Sequence, residues 1–281
     1  MAGTLATARR IWMTSTGALG WVLANHARRD ALRALLPEAS AVSVWRLAAQ
    51  QAAYRACNAL IRREQRYLGD ARLEQSIDVR GREVLTRLQG RAPLVVTWHS
   101  GVVAALPAAL AQCGRRGYVV RHKPADEAHH GFVALATGRT PKQRALAMMN
   151  AIAALRRQET VIFVAGVIPP RKAPSPDHLA PLLGREVYVA PGVATMARLG
   201  GAALVPALTR VERGRVIVDL FDPIPPGADD AATIRHLVAF FAPNFARHPG
   251  ELWGNELPWI LASAPTGTAT SPRTAPEPNR P

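Results

Sequence analysis

The stretch that decides the fold is 92–114, which reads APLVVTWHSGVVAALPAALAQCG and carries no Asp, Glu, Lys or Arg. Its apolar length is that of a membrane span, but two prolines and a glycine interrupt it. The pattern predicts a buried strand at 94–98, a tight turn at 99–101 and a helix at 102–113. One uncharged run therefore holds a strand, a turn and a helix of a packed core.

Strands and helices alternate on both sides of this run. Further strands are predicted at 118–121, 160–165, 203–209 and 216–221, and helices at 42–68, 141–157, 191–199 and 231–241. Residues 75–88 are predicted as a short strand or loop followed by a helix. Such alternation predicts an α/β fold with a mostly parallel central sheet flanked by helices.

The chain divides into three predicted parts, which are an N-terminal helical segment at 1–70, an α/β domain at 71–262 and a tail at 263–281. The tail is rich in Pro, Thr, Ser and Ala and has too little apolar surface to offset its ordering entropy, so we expect it to be disordered. Residues 11–25 are uncharged but shorter than the roughly 20 apolar residues of a spanning helix. They form either a helix lying on a membrane surface, with Trp12 and Trp21 as anchors, or an ordinary core helix.

Composition excludes some classes of protein. Two distant cysteines, Cys57 and Cys113, provide neither a disulfide scaffold nor a thiolate metal cluster. The net charge of +15 is carried mainly by arginine, which suits acidic lipids, acidic proteins or nucleic acid, although an arginine-rich genome also explains it. No nucleic-acid-binding motif accompanies the charge, so we expect no nucleic-acid partner. The pairs His129-His130 and Asp177-His178 lack a second donor cluster, so we expect no metal.

His99 stands where the predicted core strand meets the turn before a helix. This is the place where α/β sheets expose reactive side chains and where helix N-termini offer backbone N–H groups to anions. Its imidazole is either a general base or a core histidine with its hydrogen bonds satisfied.

Several motifs together carry a resemblance to a known family. They are 33–38 (RALLPE), 93–101 (PLVVTWHSG), 183–187 (LGREV), 190–194 (APGVA), 201–206 (GAALVP) and His248-Pro249 with Trp253. The combination resembles the bacterial lipid A biosynthesis lauroyl/myristoyl acyltransferase family, within the wider lysophospholipid acyltransferases, over residues 33–259.

The resemblance implies an acyltransferase-like fold and the transfer of a fatty acyl chain. The donor would be an acyl carrier protein or coenzyme A thioester, and the acceptor a hydroxyl or amine of a lipid-like or small molecule. The protein would act without a cofactor as a peripheral protein on the cytoplasmic face of the inner membrane, in contact with its lipid surface, as part of lipid A or other lipid biosynthesis.

The resemblance also implies roles for individual residues. His99 would be the catalytic base, and the backbone N–H groups near Ser100 and Gly101 would stabilise the oxyanion. Arg139 falls where the family often places a basic residue suited to a phosphate or donor group, which is equally a position for a solvated arginine. Gly192 leaves room either for an acyl chain or for close packing of a helix on the sheet.

Two departures from the family pattern affect these expectations. The family motif places an Asp or Glu five residues after the histidine to orient it, and here that position is Ala104. Either a backbone carbonyl or a distant acid such as Asp126, Glu127 or Asp177 takes its place, or an amine or a more acidic acceptor needs less help from the base. The family also tends to place an Asp-Gln pair where this chain has the apolar residues 164–167. Two hypotheses therefore stand, an acyltransferase with altered chemistry and an inactive family member that binds lipid or a partner protein.

Overall fold

The computed structural model describes residues 26–68, 77–88, 90–122, 129–169, 178–213, 215–225, 227–252 and 256–266. The predicted helix at 11–25 lies outside these residues. The helices are α1 (His26–Leu35), α2 (Ala41–Leu68), α3 (Glu83–Thr86), α4 (Leu106–Gln112), α5 (Pro141–Arg156), α6 (Gly192–Gly200), α7 (Asp230–Arg247) and α8 (Leu257–Leu261). The strands are β1 (Ile77–Arg80), β2 (Pro93–Trp98), β3 (Gly117–Arg121), β4 (Phe132–Ala136), β5 (Thr160–Ala165), β6 (Val167–Ile168), β7 (Leu179–Leu182), β8 (Arg185–Val189), β9 (Ala203–Glu212), β10 (Arg215–Leu220) and β11 (Ala264–Pro265). Short 3₁₀ helices cover Val103–Ala105 and Pro249–Glu251.

A seven-stranded sheet forms the centre of the molecule, in the order β1-β10-β9-β2-β5-β3-β4. Its neighbouring strands are parallel except for the β9–β10 pair, which is antiparallel. Strand β2 lies in the middle and is buried along its whole length, as its unbroken apolar sequence predicts for a strand covered on both faces. The prediction of an α/β fold with a mostly parallel central sheet flanked by helices is confirmed.

Helices cover both faces of the sheet. On one face, Trp98 of β2 packs against Phe241 and Phe245 of α7, with ring centroids 5.6 Å and 5.8 Å away. On the other face, Val95 joins a core with residues of α2 such as Cys57. Helix α2 thus lies against the sheet, and the described part of the N-terminal helical segment shares a hydrophobic core with the α/β unit.

A smaller antiparallel sheet adjoins the large one and pairs β8 with β6, β7 and β11. Ala264 pairs with Glu186 and Pro265 with Arg185, so these first residues of the predicted tail at 263–281 have a strand partner. Residues 267–281, the rest of the predicted tail, lie outside the described residues. Within the described ranges, no helix is long and apolar enough to cross a membrane.

Candidate functional site

His99 lies at the carboxyl edge of the large sheet, where β2 and β5 end side by side. Trp98 pairs with Ala165 in the parallel ladder, and the His99 backbone N–H donates to the Ala165 carbonyl at 3.1 Å. The side chain is partly buried, and burial lowers the pKa of His99 to about 4. Its imidazole is therefore neutral at physiological pH and can accept a proton, although it is a weak base.

The turn after His99 requires a glycine at its third residue. Gly101 has a φ of +53°, which favours glycine, and a Cβ there would overlap the carbonyl oxygen of Thr209 on β9. The next residue, Val102, donates its N–H to the Thr209 hydroxyl at 2.9 Å. This turn is thus clamped onto β9, which keeps the position of His99 fixed at the strand end.

The backbone N–H groups predicted to form an oxyanion hole are engaged within the protein. The Ser100 N–H donates to the Trp98 carbonyl at 2.7 Å, and the Gly101 N–H donates to the Glu251 carbonyl at 2.9 Å. These two N–H groups therefore hold the turn in place, and an oxyanion hole formed by N–H groups near Ser100 and Gly101 stays a prediction.

Asn58, a buried residue of α2, ties the turn to the helix layer. Its side-chain amide donates to the carbonyls of Gly101 and Tyr54, each at 2.8 Å, and its oxygen accepts the Ala104 N–H at 2.9 Å. Ala104 stands where the resembled family has its orienting acid. It offers only a methyl group there, and its backbone is held by Asn58. Sequence reasoning missed Asn58, although an asparagine in the apolar stripe of a predicted helix is a signal that could have indicated it.

The carboxyl group beside His99 comes from Glu256, which begins α8. Its side chain is fully buried at 0% exposure, and its Oε2 accepts the Trp98 indole N–H at 2.6 Å. Burial raises the pKa of Glu256 to about 8, and the N–H groups of Trp98 and Val167 oppose this shift only in part. At neutral pH the carboxyl is therefore mainly protonated.

Gly166 shows how close Glu256 and His99 lie. A Cβ placed on Gly166 would overlap Glu256 Oε1 and would lie 2.7 Å from His99 Cδ2. Both atoms are therefore within reach of one methyl group, so the carboxyl and the imidazole are neighbours across this glycine. The apolar segment 164–167, where the family tends to have its Asp-Gln pair, supplies the small residue that lets them meet.

Arg139 lies at the same edge of the sheet but far from His99. It follows β4, three strands from β2, which at about 4.8 Å per strand is about 14 Å. Its side chain is exposed, and its backbone N–H donates to Gln143 Oε1 at 2.9 Å, next to the capping box that Thr140 and Gln143 form at the start of α5. The structure does not bring Arg139 together with His99.

Gly192 begins α6 and packs against α5. A Cβ there would lie 2.6 Å from the terminal methyl group of Met148, the flexible end of a side chain of α5. The neighbour belongs to a helix and not to the sheet, so close packing on the sheet and room for an acyl chain both stay predictions for Gly192.

Asp126, Glu127, Asp177 and Trp253 lie outside the described residues. In the part of the chain that the structure describes, no three His, Cys, Asp or Glu side chains are grouped so that they could hold a metal ion.

No protein-family model matches the chain, and no curated protein is significantly similar to it. Function is therefore inferred from the residues at the carboxyl edge of β2 and β5 and from their geometry.

Proposed function

We propose that the protein is an acyltransferase that moves a fatty acyl chain from a thioester, on an acyl carrier protein or coenzyme A, to a hydroxyl or amine. The observation that carries the proposal is the neutral imidazole of His99 at the end of the central parallel strand, beside the buried carboxyl of Glu256. The motif resemblance to the lipid A biosynthesis acyltransferases adds the reaction class.

In the proposed reaction, His99 takes the proton of the acceptor hydroxyl or amine while the acceptor attacks the thioester carbonyl carbon. The carbon–sulfur bond then breaks, and the leaving thiolate takes the proton back from the imidazolium. The pKa of His99, lowered to about 4 by burial, leaves the imidazole free of a second proton across the physiological range. Because so weak a base gives limited help, the proposal favours an amine or an acidic hydroxyl as the acceptor.

The surface of α5 supports a peripheral position on an anionic membrane. Its side chains Leu146 and Met149 are 57% and 66% exposed, one turn apart on the helix. The helix has no acidic residue, and the exposed Lys142 and Arg144 lie near its N-terminus, at the catalytic edge of the sheet. Exposed apolar side chains beside cations suit an interface with acidic lipid headgroups or an acidic carrier protein. This surface supports a peripheral membrane position, and the motif resemblance adds the cytoplasmic face of the inner membrane to the proposal.

The proposal is tested by His99→Ala, with His236→Ala as the matched control at an exposed histidine of α7. Release of free thiol from acyl thioesters is measured with a panel of hydroxyl and amine acceptors, and circular dichroism checks the fold. We expect His99→Ala to abolish turnover and the control to keep it. Full turnover in His99→Ala would show that this imidazole is not the base.

A second candidate is an inactive relative that binds lipid or a partner protein. The observation that favours it is the methyl group of Ala104 at the motif acid, with the N–H groups of Ser100 and Gly101 engaged elsewhere. This candidate predicts no thiol release with any acceptor, while binding to anionic vesicles or to an acyl thioester persists in both wild type and His99→Ala.

A further inference from the structure

An imidazole base needs a group that fixes its orientation and its tautomer. In acid–histidine dyads a carboxylate accepts the N–H of one ring nitrogen, so that the other nitrogen is bare and can take a proton. In this chain Ala104 leaves the motif position without a carboxylate. The neighbouring carboxyl is that of Glu256, which arrives from α8, far along the sequence.

The two carboxyl oxygens of Glu256 have different surroundings. Oε2 accepts the Trp98 indole N–H, which is a donor only and therefore fixes an oxygen at that place. Oε1 is buried; the Val167 N–H lies near enough to the carboxyl to oppose the rise of its pKa, but within the described residues no donor makes a hydrogen bond of ordinary geometry to Oε1. A buried carboxyl oxygen without a donor costs free energy, so Oε1 is a site where a further N–H would be stabilising.

The ring of His99 can supply that N–H without moving its plane. His99 Cδ2 and Glu256 Oε1 both lie beside the point that a Cβ of Gly166 would occupy. A half-turn about the Cβ–Cγ bond exchanges Cδ2 with Nδ1 and leaves the ring in the same slot. Nδ1–H is then turned towards Oε1, and Nε2, on the far side of the ring from the carboxyl, is bare.

We propose that Glu256 is the positioning residue of His99, in place of the acid that the motif lacks at Ala104. This inference rests on the proposed function, since it assigns the acid partner of the same base. In its ionised form Glu256 accepts Nδ1–H, which leaves Nε2 to take the acceptor proton and stabilises the imidazolium that forms. When Glu256 holds its own proton it donates to Nδ1, the remaining ring proton moves to Nε2, and the base is blocked.

The pair therefore needs one deprotonation before it can act. Among the described groups, only the N–H groups of Trp98 and Val167 act on the pKa of Glu256 besides burial, and no charged side chain contributes. The proposal predicts that turnover rises with pH through the apparent pKa of the pair, near the value of about 8 for Glu256.

The test reads the tautomer of His99 directly by ¹⁵N NMR on the full chain, with the His99 signals identified by their loss in His99→Ala. Wild type at pH 9 should show a protonated Nδ1 and a bare Nε2, and lowering the pH to 6.5 should place the ring proton on Nε2. In Glu256→Gln the Trp98 N–H keeps the amide oxygen, so the amide NH₂ faces His99 and should hold the proton on Nε2 at both pH values.

Glu251→Gln is the matched control, because this second buried glutamate directs its side chain to Asn244 at 2.9 Å. The His99 tautomer and its pH dependence should be unchanged in that variant. If Glu256→Gln does not fold, the wild-type pH series alone decides the question. A wild-type tautomer that does not change between pH 6.5 and pH 9, or a tautomer at pH 9 that is the same in Glu256→Gln as in wild type, would overturn the proposal.

Kinetics then separate this inference from the proposed function. With an active enzyme, Glu256→Gln should lower kcat by about 10⁴-fold, the loss seen when a catalytic histidine is held in the wrong tautomer, with KM little changed. A tautomer switch in a protein whose turnover survives in His99→Ala would refute the acyltransfer mechanism and leave the contact between Glu256 and His99 established. Turnover that depends on His99 but not on Glu256 would refute the positioning role alone.

Discussion

Glu256 should make the fold less stable as the pH rises through the neutral range, because its buried carboxyl holds a proton that the unfolded chain releases more readily. Burial raises the pKa of Glu256 from 4.5 to about 8, so between these values the folded protein holds a proton that the unfolded chain has released. The free energy of unfolding then falls with pH. His99 acts in the opposite direction, because burial lowers its pKa from 6.5 to about 4 and the unfolded chain binds the extra proton over that interval.

The two effects leave a pH window in which Glu256 acts without opposition from His99. Each group changes the free energy of unfolding by about 1.4 kcal/mol per pH unit over its interval, so between pH 4.5 and 6.5 the two nearly cancel. From pH 6.5 to 8 His99 no longer changes the free energy of unfolding, and Glu256 should lower it by about 2 kcal/mol. This is a measurable part of the roughly 5–15 kcal/mol that stabilises a typical domain.

Urea unfolding at pH 6.5 and pH 8.5 measures this difference. Burial also raises the pKa of Glu251, which has the same sign, so wild type is compared with Glu256→Gln to isolate one carboxyl. The amide keeps an oxygen for the Trp98 N–H and has no proton to lose. Between the two pH values, the free energy of unfolding of wild type should fall by about 2 kcal/mol more than that of the variant. Equal losses in the two proteins would show that Glu256 is already ionised in the fold at pH 6.5.

Three further substitutions test the turn, the glycine between the two side chains and the surface of α5. Gly101→Ala should lower the free energy of unfolding by more than about 2 kcal/mol, and Gly114→Ala, at a positive φ with open space around it, should cost only about 1 kcal/mol by the same measurement. Gly166→Ala should reduce kcat at least about tenfold by separating His99 from the carboxyl, and unchanged kinetics would contradict their contact. Met149→Glu should weaken sedimentation with anionic vesicles, whereas Ala239→Glu, at an exposed position on α7, should lower it less; equal losses would refute a specific surface.

The strands of the large sheet and the helices that cover it were predictable because buried segments have an apolar composition. A strand covered on both faces reads as a continuous apolar run, which is why 94–98 and 160–165 are found from sequence almost to the residue. Helix α7 continues to Arg247, beyond its predicted end at 241, although Pro243 lies inside it. Its last turns bury Phe245 against Trp98, and this packing outweighs the local cost of the proline.

Strand β4 and the small sheet were missed for a different reason. Strand β4 reads FVALA, and alanine is a weak indicator of strand structure. Strand β7 contains Pro181, which it tolerates because, among the described strands, it pairs with β8 alone. Strands β6 and β11 have two residues each, too few for a period of two to be visible. In all of these the strand conformation comes from a partner elsewhere in the chain, which no local pattern records.

The candidate site likewise combines one residue with local surroundings, His99, and one from a distant part of the chain, Glu256. His99 was identifiable because its surroundings are local, a strand before it and a turn after it. Glu256 was not, because the hydrogen bond from Trp98 to Glu256 joins positions 158 residues apart. A motif with a fixed spacing describes an acid that reaches the histidine from the next helix, whereas the imidazole responds only to a carboxyl within hydrogen-bonding distance of its ring nitrogen. An alanine at position 104 is therefore evidence against the motif and not against an acid partner, and the tautomer of His99 is the property that tells these apart.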